Sequence, residues 1–175
     1  CYREAVKQAF THFCEKSTKQ GRFDPELDII LTEQWARIIM HLPYAFQAKR
    51  MFPDVFRHDR QHLDSWKDIE AEIGNVPLED DYETEAEFEI AMDKYRRSIS
   101  KTEEFKQFVE DRIEKGQRAS SLIGNQYTGS IFLALMSTFE ADYEENANLD
   151  NVTLGLCGYG SGAKAKVFDC LLYTS

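Results

Sequence analysis

Residues 120–140 read SSLIGNQYTGSIFLALMSTFE, a polar loop with two glycines that opens directly into an apolar helix. From Ile131 to Phe139 the predicted helix is apolar almost all round, which is typical of a helix buried within a large protein rather than lying on a surface. Its N-terminus presents free backbone amides and the positive end of the helix dipole to the preceding loop. The stretch therefore predicts a polar loop held at the start of a buried helix.

Short apolar segments on either side of this stretch predict strands. Residues 36–42 are apolar, β-branched at their centre and followed by Pro43, as expected of a buried strand. Residues 152–157 and 166–172 predict two more. Helical spacing predicts an amphipathic helix over 2–19, another over 44–51 that ends before Pro53, and one or two charged helices over 83–115, whereas 54–80 is predicted to be irregular. The fold class is therefore α/β.

Three polar residues each lie where a very apolar element meets a turn marked by glycine or proline: His41, Asn125 and Ser161. In open α/β sheets, groups at the carboxyl ends of strands line ligand crevices. Buried polar groups are unfavourable unless they are hydrogen-bonded. A ligand site and a hydrogen-bonded turn both satisfy that requirement, so each residue taken alone leaves the two interpretations open.

Composition excludes several classes of function. The chain has 175 residues, and 42% of them are hydrophobic, which is enough for a core. A membrane-spanning helix needs about 18 consecutive apolar residues, and no stretch of this sequence approaches that length. The net charge of −10 disfavours nucleic acid partners. The four cysteines lack CxxC spacing, so we expect no zinc site and no disulfide framework, as in a reduced cytoplasmic protein.

Two further patterns resemble functional motifs but do not meet the requirements of those motifs. Residues 158–162 read GYGSG, but the glycine spacing and the β-type residues that follow fit neither a dinucleotide-binding loop nor the nucleophile elbow of serine hydrolases. His58 and His62 stand four residues apart with acids beside them, yet no third ligand is near. We predict surface histidines and no metal site.

Together, the motifs HLPY at 41–44, GNQYTGS at 124–130 and GYGSG at 158–162 resemble the 3-hydroxy-3-methylglutaryl-CoA synthases. Cys1-Tyr2 and the helix that follows are similar to the family's segment ahead of the histidine. The resemblance covers 1–175 and is thinner between Val55 and Ser100. It implies the C-terminal half of a thiolase-like fold, layered αβα with a mixed sheet, truncated at both ends and with an acidic helical insertion at about 55–115.

The family reaction implied by this resemblance condenses acetyl-CoA with acetoacetyl-CoA in the mevalonate pathway, with coenzyme A thioesters as substrates and no further cofactor. His41 resembles the histidine that orients acetoacetyl-CoA and supplies a proton to the developing alkoxide. Asn125 and Ser161 resemble the donors that bind the acyl group. Tyr127 and Tyr159 are expected to line the same cavity.

Two departures from the family concern the coenzyme. Many members have a lysine five residues after the histidine, where this chain has Phe46. Arg50 fills a second basic position, with Lys49 beside it, and both are expected to pair with the phosphates of CoA. Loss of one cation weakens that contact or indicates another acyl carrier.

The family's nucleophilic cysteine and general-base glutamate are expected upstream of this chain, because neither Cys1 nor Cys157 has the setting of the nucleophile. As an isolated fragment the chain is expected to be inactive, and the full-length protein to be a homodimer. Two alternatives stay open: a β-branching synthase acting on acetoacetyl groups bound to acyl carrier protein, and a non-catalytic thiolase-like scaffold subunit.

Overall fold

The sheet has three strands and mixed direction. The computed structural model describes residues 2–22, 30–41, 47–124, 126–160 and 164–173, with 47–49 described by their backbone alone. In the described part, β1 (Trp35–Met40) pairs in parallel with β2 (Val152–Gly160), and β2 pairs antiparallel with β3 (Lys164–Leu172). The three predicted strands and the mixed sheet are confirmed.

Seven α-helices surround this sheet in the described residues: α1 Tyr2–Lys19, α2 Gln47–Arg60, α3 Trp66–Ile73, α4 Glu85–Ile99, α5 Glu103–Arg112, α6 Arg118–Ile123 and α7 Ser130–Glu144. Short 3-10 turns connect several of them. None of the helices described here combines the length and apolar character needed to cross a bilayer.

The acidic segment forms helices because threonines cap them. Thr84 accepts a hydrogen bond from the backbone N–H of Glu87, whose carboxylate bonds back to the Thr84 backbone, and α4 begins at the next residue. Thr102 accepts from the N–H of Phe105 at the start of α5. The helices predicted over 83–115 are confirmed.

α2 does not stop before Pro53, so that sequence prediction is wrong. The helix continues to Arg60 because Phe52, Val55 and Phe56 are all buried on one side of it. A proline in a helix interior costs about 3 kcal/mol, whereas burial of each large apolar side chain contributes roughly 1.5–3 kcal/mol. Three such side chains outweigh one proline.

The prediction of an irregular segment over 54–80 is also wrong, because α3 lies within it and buries Trp66 and Ile69. His58 is not a surface histidine, since it is half-buried with its ring edge-on to Phe10 at a centroid distance of 5.9 Å. His62 is exposed, as predicted.

The two faces of the sheet carry different helices. Val6 and Phe10 of α1 belong to one buried cluster with Ile38 of β1 and Cys157 of β2. On the opposite face Ile131 of α7 lies next to β2: its Cδ1 atom is 3.9 Å from the place that a Cβ would occupy at Gly158. The sheet is therefore layered between α1 and α7.

The Trp35 indole of β1 packs directly against Gly155 of β2. The indole of Trp35 is 1% exposed, and a Cβ built on Gly155 would lie 2.2 Å from its Cε3 atom. Only glycine leaves room for that ring. Phe10 and Phe13 of α1 pack on its other edges, at centroid distances of 6.2 and 5.7 Å.

A buried carboxylate anchors α7. Asp142 is 1% exposed and accepts from Arg37 of β1 and from Lys115, with closest N–O distances of 2.6 Å to each. Burial opposes its ionisation, but these hydrogen bonds prevail and hold the pKa of Asp142 below its ordinary value. Asp142 lies in the last turn of α7, which extends to Glu144.

The apolar face of α7 points away from this chain. Phe132 and Met136 are 65% and 69% exposed, beside Leu122 and Ile123 of α6, which are also exposed. The face that packs inward is small or polar: Ser130, Ala134, Ser137, Thr138, Ala141 and Asp142. The helix predicted to be buried all round is thus fully buried by this chain only along its face of small and polar residues, and Phe132 and Met136 lie outside that face.

We predict that Gly155→Ala lowers the free energy of unfolding by about 3 kcal/mol or more, because the new methyl group overlaps the Trp35 ring and overpacking of this kind forces backbone shifts. Chemical denaturation monitored by tryptophan fluorescence measures the change. Gly160→Ala is the control, since a Cβ there meets nothing within 4 Å. Equal stability of the two variants would show that β1 and β2 are not packed in this way.

We predict that α7 tolerates substitution of its exposed apolar residues better than substitution of the small residues on its packed face. Phe132→Gln with Met136→Gln should change the unfolding free energy of this chain by less than about 1 kcal/mol, because both side chains are already in water. Ala134→Leu, which forces a larger side chain into the packed polar face, should cost about 2 kcal/mol or more. The reverse ranking in denaturation experiments would contradict the observed orientation of α7.

Candidate functional site

His41 leaves the carboxyl end of β1 and is fixed through its backbone. Its N–H donates to the carbonyl oxygen of Cys157 at 3.0 Å, which continues the parallel pairing one residue beyond Met40. Its own carbonyl oxygen accepts a hydrogen bond from the Tyr2 hydroxyl. Elements from both ends of the chain therefore hold the backbone from which the imidazole projects.

Aromatic rings stand beside the imidazole. The centroid of Tyr159 lies 6.2 Å from that of His41, and Tyr2 meets Tyr159 edge-on at 4.1 Å. Such edge contacts favour fixed ring positions. The structure therefore brings Tyr159 and His41, two of the predicted site residues, to the same place.

Burial determines the protonation state of the His41 imidazole. It lowers the pKa of His41, so the imidazole is neutral at pH 7 and has one N–H to donate. Burial, with smaller contributions from Cys157 and Tyr159, raises the pKa of Tyr2, whose hydroxyl stays protonated and can donate to His41. Burial also raises the pKa of Cys157 to about 12, which leaves a thiol and not a thiolate at neutral pH.

The start of α7 lies over the same end of the sheet. Because Met40 pairs with Cys157, His41 falls beside Gly158, the residue that Ile131 covers. The GNQYTGS motif runs directly into α7, so its last residues are close to the glycine-rich end of β2. The parallel pairing of β1 with β2 and the packing of α7 together bring one end of each of the three sequence motifs to the carboxyl end of these two strands.

Tyr127 lies at this helix start with a φ of +49° and is 77% exposed. The structure therefore places it at the surface of the described chain. Positive φ at a bulky residue is strained, and such strain is found at functional loops. A shared cavity with Tyr159 stays a prediction.

Other predicted site residues fall outside the described part of the chain. Asn125 and Ser161 are not described, nor is Phe46, and only the backbone of Lys49 is. The roles assigned to them stay predictions. Arg50 is described: it lies exposed on α2 and lines a cavity with Arg3 of α1.

Tyr2 is the residue whose contribution the sequence did not reveal. It was recognisable only as part of a Cys-Tyr pair before a helix, and its partner is the backbone of His41, far along the chain. Hydrogen bonds from a side chain to a distant backbone leave no periodic signal in a sequence. The hydrogen bond from Tyr2 to His41 is seen only in the structure, where α1 packs on the sheet.

Comparisons with known proteins agree on one family. The family model described as "Hydroxymethylglutaryl-coenzyme A synthase C terminal" matches residues 1–174. A hydroxymethylglutaryl-CoA synthase of Haloferax volcanii is 32% identical over 147 residues, which are 84% of this chain and 32% of that protein. Hydroxymethylglutaryl-CoA synthase 2 of Blattella germanica is 24% identical over 179 residues, 99% of this chain and 36% of the relative.

A solved structure shares the fold. MvaS in complex with 3-hydroxy-3-methylglutaryl coenzyme A superposes with a TM-score of 0.65 at 23% identity, covering 99% of this chain and 34% of that one. The predicted thiolase-like α/β fold is thereby confirmed. The chain spans about a third of the length of the relatives it matches.

We predict that the His41 imidazole titrates with a midpoint below 6.5. Its folded pKa is depressed, so the unfolded chain binds more protons, and the stability contributed by neutral His41 is complete above pH 6.5 and lost as the pH falls towards the folded pKa. NMR titration of the His41 Cε1–H resonance, assigned with His41→Gln, measures the midpoint. The same resonance in denaturant, expected near 6.5, is the control, and a folded midpoint at or above that value would refute the prediction.

Proposed function

Since the chain belongs to the hydroxymethylglutaryl-CoA synthase family, of which it has the C-terminal part, we propose that it supplies the acetoacetyl-CoA-binding wall of an enzyme that condenses acetyl-CoA with acetoacetyl-CoA. The observation that supports this most is His41, held through its backbone by Cys157 and Tyr2 at the carboxyl end of β1. That position is where open α/β sheets bind ligands.

In the proposed reaction, a cysteine outside this chain is acetylated by acetyl-CoA and releases CoA. A glutamate, also outside this chain, removes a proton from the acetyl methyl group. The resulting carbanion attacks the ketone carbon of acetoacetyl-CoA, a carbon–carbon bond forms, and the ketone oxygen becomes an alkoxide that takes up a proton. Water then cleaves the thioester to the enzyme and frees 3-hydroxy-3-methylglutaryl-CoA.

His41 is proposed to act on the ketone oxygen. The neutral imidazole donates its N–H to that oxygen and polarises the carbonyl before attack. As negative charge develops on the oxygen, it favours the protonated imidazole and raises the pKa of His41 towards working pH. His41 then takes up a proton from solvent, passes a proton to the alkoxide and returns to the neutral imidazole. Its lowered pKa in the unbound chain therefore suits a group that is charged only when the reaction requires it.

Asn125 and Ser161 are proposed as further donors to the acyl group. Each adjoins a described segment: Gly124 caps the end of α6, and Gly160 is the last residue of β2. Glycines on either side of Ser161 let a ligand approach the backbone closely. We further propose a cytoplasmic homodimer as the full-length form.

A second candidate is a β-branching synthase that takes its acetoacetyl group from acyl carrier protein. Phe46 favours it, because many family members have a cation there and this chain has none. The chemistry at His41 would be the same in both enzymes. The two enzymes differ in the carrier of the acetoacetyl group, which is coenzyme A in the first and acyl carrier protein in the second.

We predict that His41→Gln lowers kcat/KM for condensation by about 10²–10⁴-fold, the range expected when a general acid is lost. Because the relatives are about three times as long as this chain, the assay uses the full-length gene product that contains these residues. Formation of 3-hydroxy-3-methylglutaryl-CoA from acetyl-CoA and acetoacetyl-CoA is the measurement.

The matched control is His62→Gln, an exposed histidine for which full activity is expected. Condensation that survives in His41→Gln at the rate of this control would remove His41 from the mechanism. Offering acetoacetyl-CoA and acetoacetyl-carrier protein in parallel decides between the two candidates. If neither is condensed by the unchanged full-length protein, the scaffold alternative replaces both.

A further inference from the structure

A cationic cavity opens among α1, α2 and α4, away from the histidine itself. It measures about 650 Å³ and is lined by Arg3, Arg50, Asp93, Arg96, Arg97 and Lys101, together with a serine. Five cations and one acid stand in this lining, although the whole chain has a net charge of −10. The local excess of positive charge therefore requires its own explanation.

Two of the five arginines and lysines are structural. Arg3 bonds Asp93 at 2.8 Å, and Arg96 bonds Asp93 at 2.9 Å and Asp54 at 3.0 Å. These pairs join α1, α2 and α4 and fix the wall of the cavity. Their charges are balanced within the fold, so they explain the shape of the cavity rather than its charge.

The other three cations are unbalanced. Arg50, Arg97 and Lys101 form no ion pair with any residue in the described part of the chain. Arg97 and Lys101 stand at the C-terminal end of α4, where cations favour the helix dipole. That effect does not account for Arg50, which α2 brings to the same cavity. Three like charges around one space repel one another until an anion binds between them.

The cavity adjoins the backbone support of His41. Tyr2 donates to the carbonyl of His41, and the next residue, Arg3, lines the cavity. α2, which carries Arg50, begins six residues after His41. The first turn of α1 therefore separates the histidine from the unpaired cations. In a coenzyme A thioester the pantetheine arm likewise separates the reacting thioester from the phosphates.

The family resemblance implies that Arg50 pairs with the phosphates of CoA, and we propose that Arg97 and Lys101, from the acidic helical segment, bind the same phosphates from the other side of the cavity. Guanidinium groups bind phosphate through two parallel hydrogen bonds, and lysine adds a point charge. The proposal rests on the proposed function and deepens it. It gives the acidic segment a role, since Arg97 and Lys101 add positive charge in a chain that has Phe46 where many family members have a lysine.

Equilibrium binding to the full-length gene product tests this proposal. Calorimetry compares CoA, 3′-dephospho-CoA and pantetheine as probes, with Arg97→Gln/Lys101→Gln as the variant and Lys94→Gln, an exposed lysine of the same helix that does not line the cavity, as the matched control. We expect the double variant to bind CoA about tenfold more weakly, dephospho-CoA with a smaller loss, and pantetheine unchanged.

Salt supplies an independent measurement. Raising the ionic strength screens exposed charges, so it should weaken CoA binding by the unchanged protein more than by the double variant. Arg97 and Lys101 are both exposed, as Lys94 is, so thermal unfolding of the variants should match that of Lys94→Gln. A fall in stability would instead identify them as structural residues.

Three results would overturn the proposal: CoA affinity in the double variant equal to that of Lys94→Gln, an equal loss for pantetheine, or no CoA binding by the unchanged protein. Weakened binding of acetoacetyl-carrier protein without weakened CoA binding would assign the cavity to an acidic carrier protein instead. Condensation that persists with an unchanged KM for acetoacetyl-CoA in the double variant refutes only this inference. A selective loss of CoA binding without any condensation by the unchanged protein refutes only the proposed function.

Discussion

The contact between the Trp35 indole and Gly155 determines how β1 lies on β2, and the candidate site depends on that register. The ring occupies the volume of an absent side chain on β2, so a shift along the strands would drive it into a neighbouring side chain. With Trp35 in place, His41 falls beside Gly158, and its backbone N–H donates to the carbonyl oxygen of Cys157. The imidazole is thus positioned by a packing contact at the opposite end of the strand.

The second requirement of the site is the position of α7. Asp142, buried between Arg37 and Lys115, attaches the C-terminal half of this helix to β1, and Ile131 at the other end covers Gly158. Removing one partner from a buried ion pair leaves an uncompensated charge and is strongly unfavourable. Polar contacts hold α7 from within, while Phe132 and Met136 remain exposed. The position of α7 therefore depends on buried ion pairs as well as on packing.

Sequence patterns predicted the elements whose signal is local. The strands around Ile38 and Leu154 and the helices of the acidic segment follow from apolar spacing. The errors concern long-range packing. Pro53 is tolerated because its neighbours are buried, and α7 turns its polar side inward because a buried carboxylate finds two distant cations. Neither partner is visible from spacing along the chain.

The order in which the chain is made has a consequence for the site. β1 and β2 pair in parallel although Met40 and Cys157 lie near opposite ends of the sequence. Closing so long a loop is entropically unfavourable, and folds rich in such contacts form slowly. During synthesis β1 emerges before β2, and the two can pair only after the helices between them have been made. The backbone bond that orients His41 is therefore expected to form later than these helices, and loss of β2 would abolish the site.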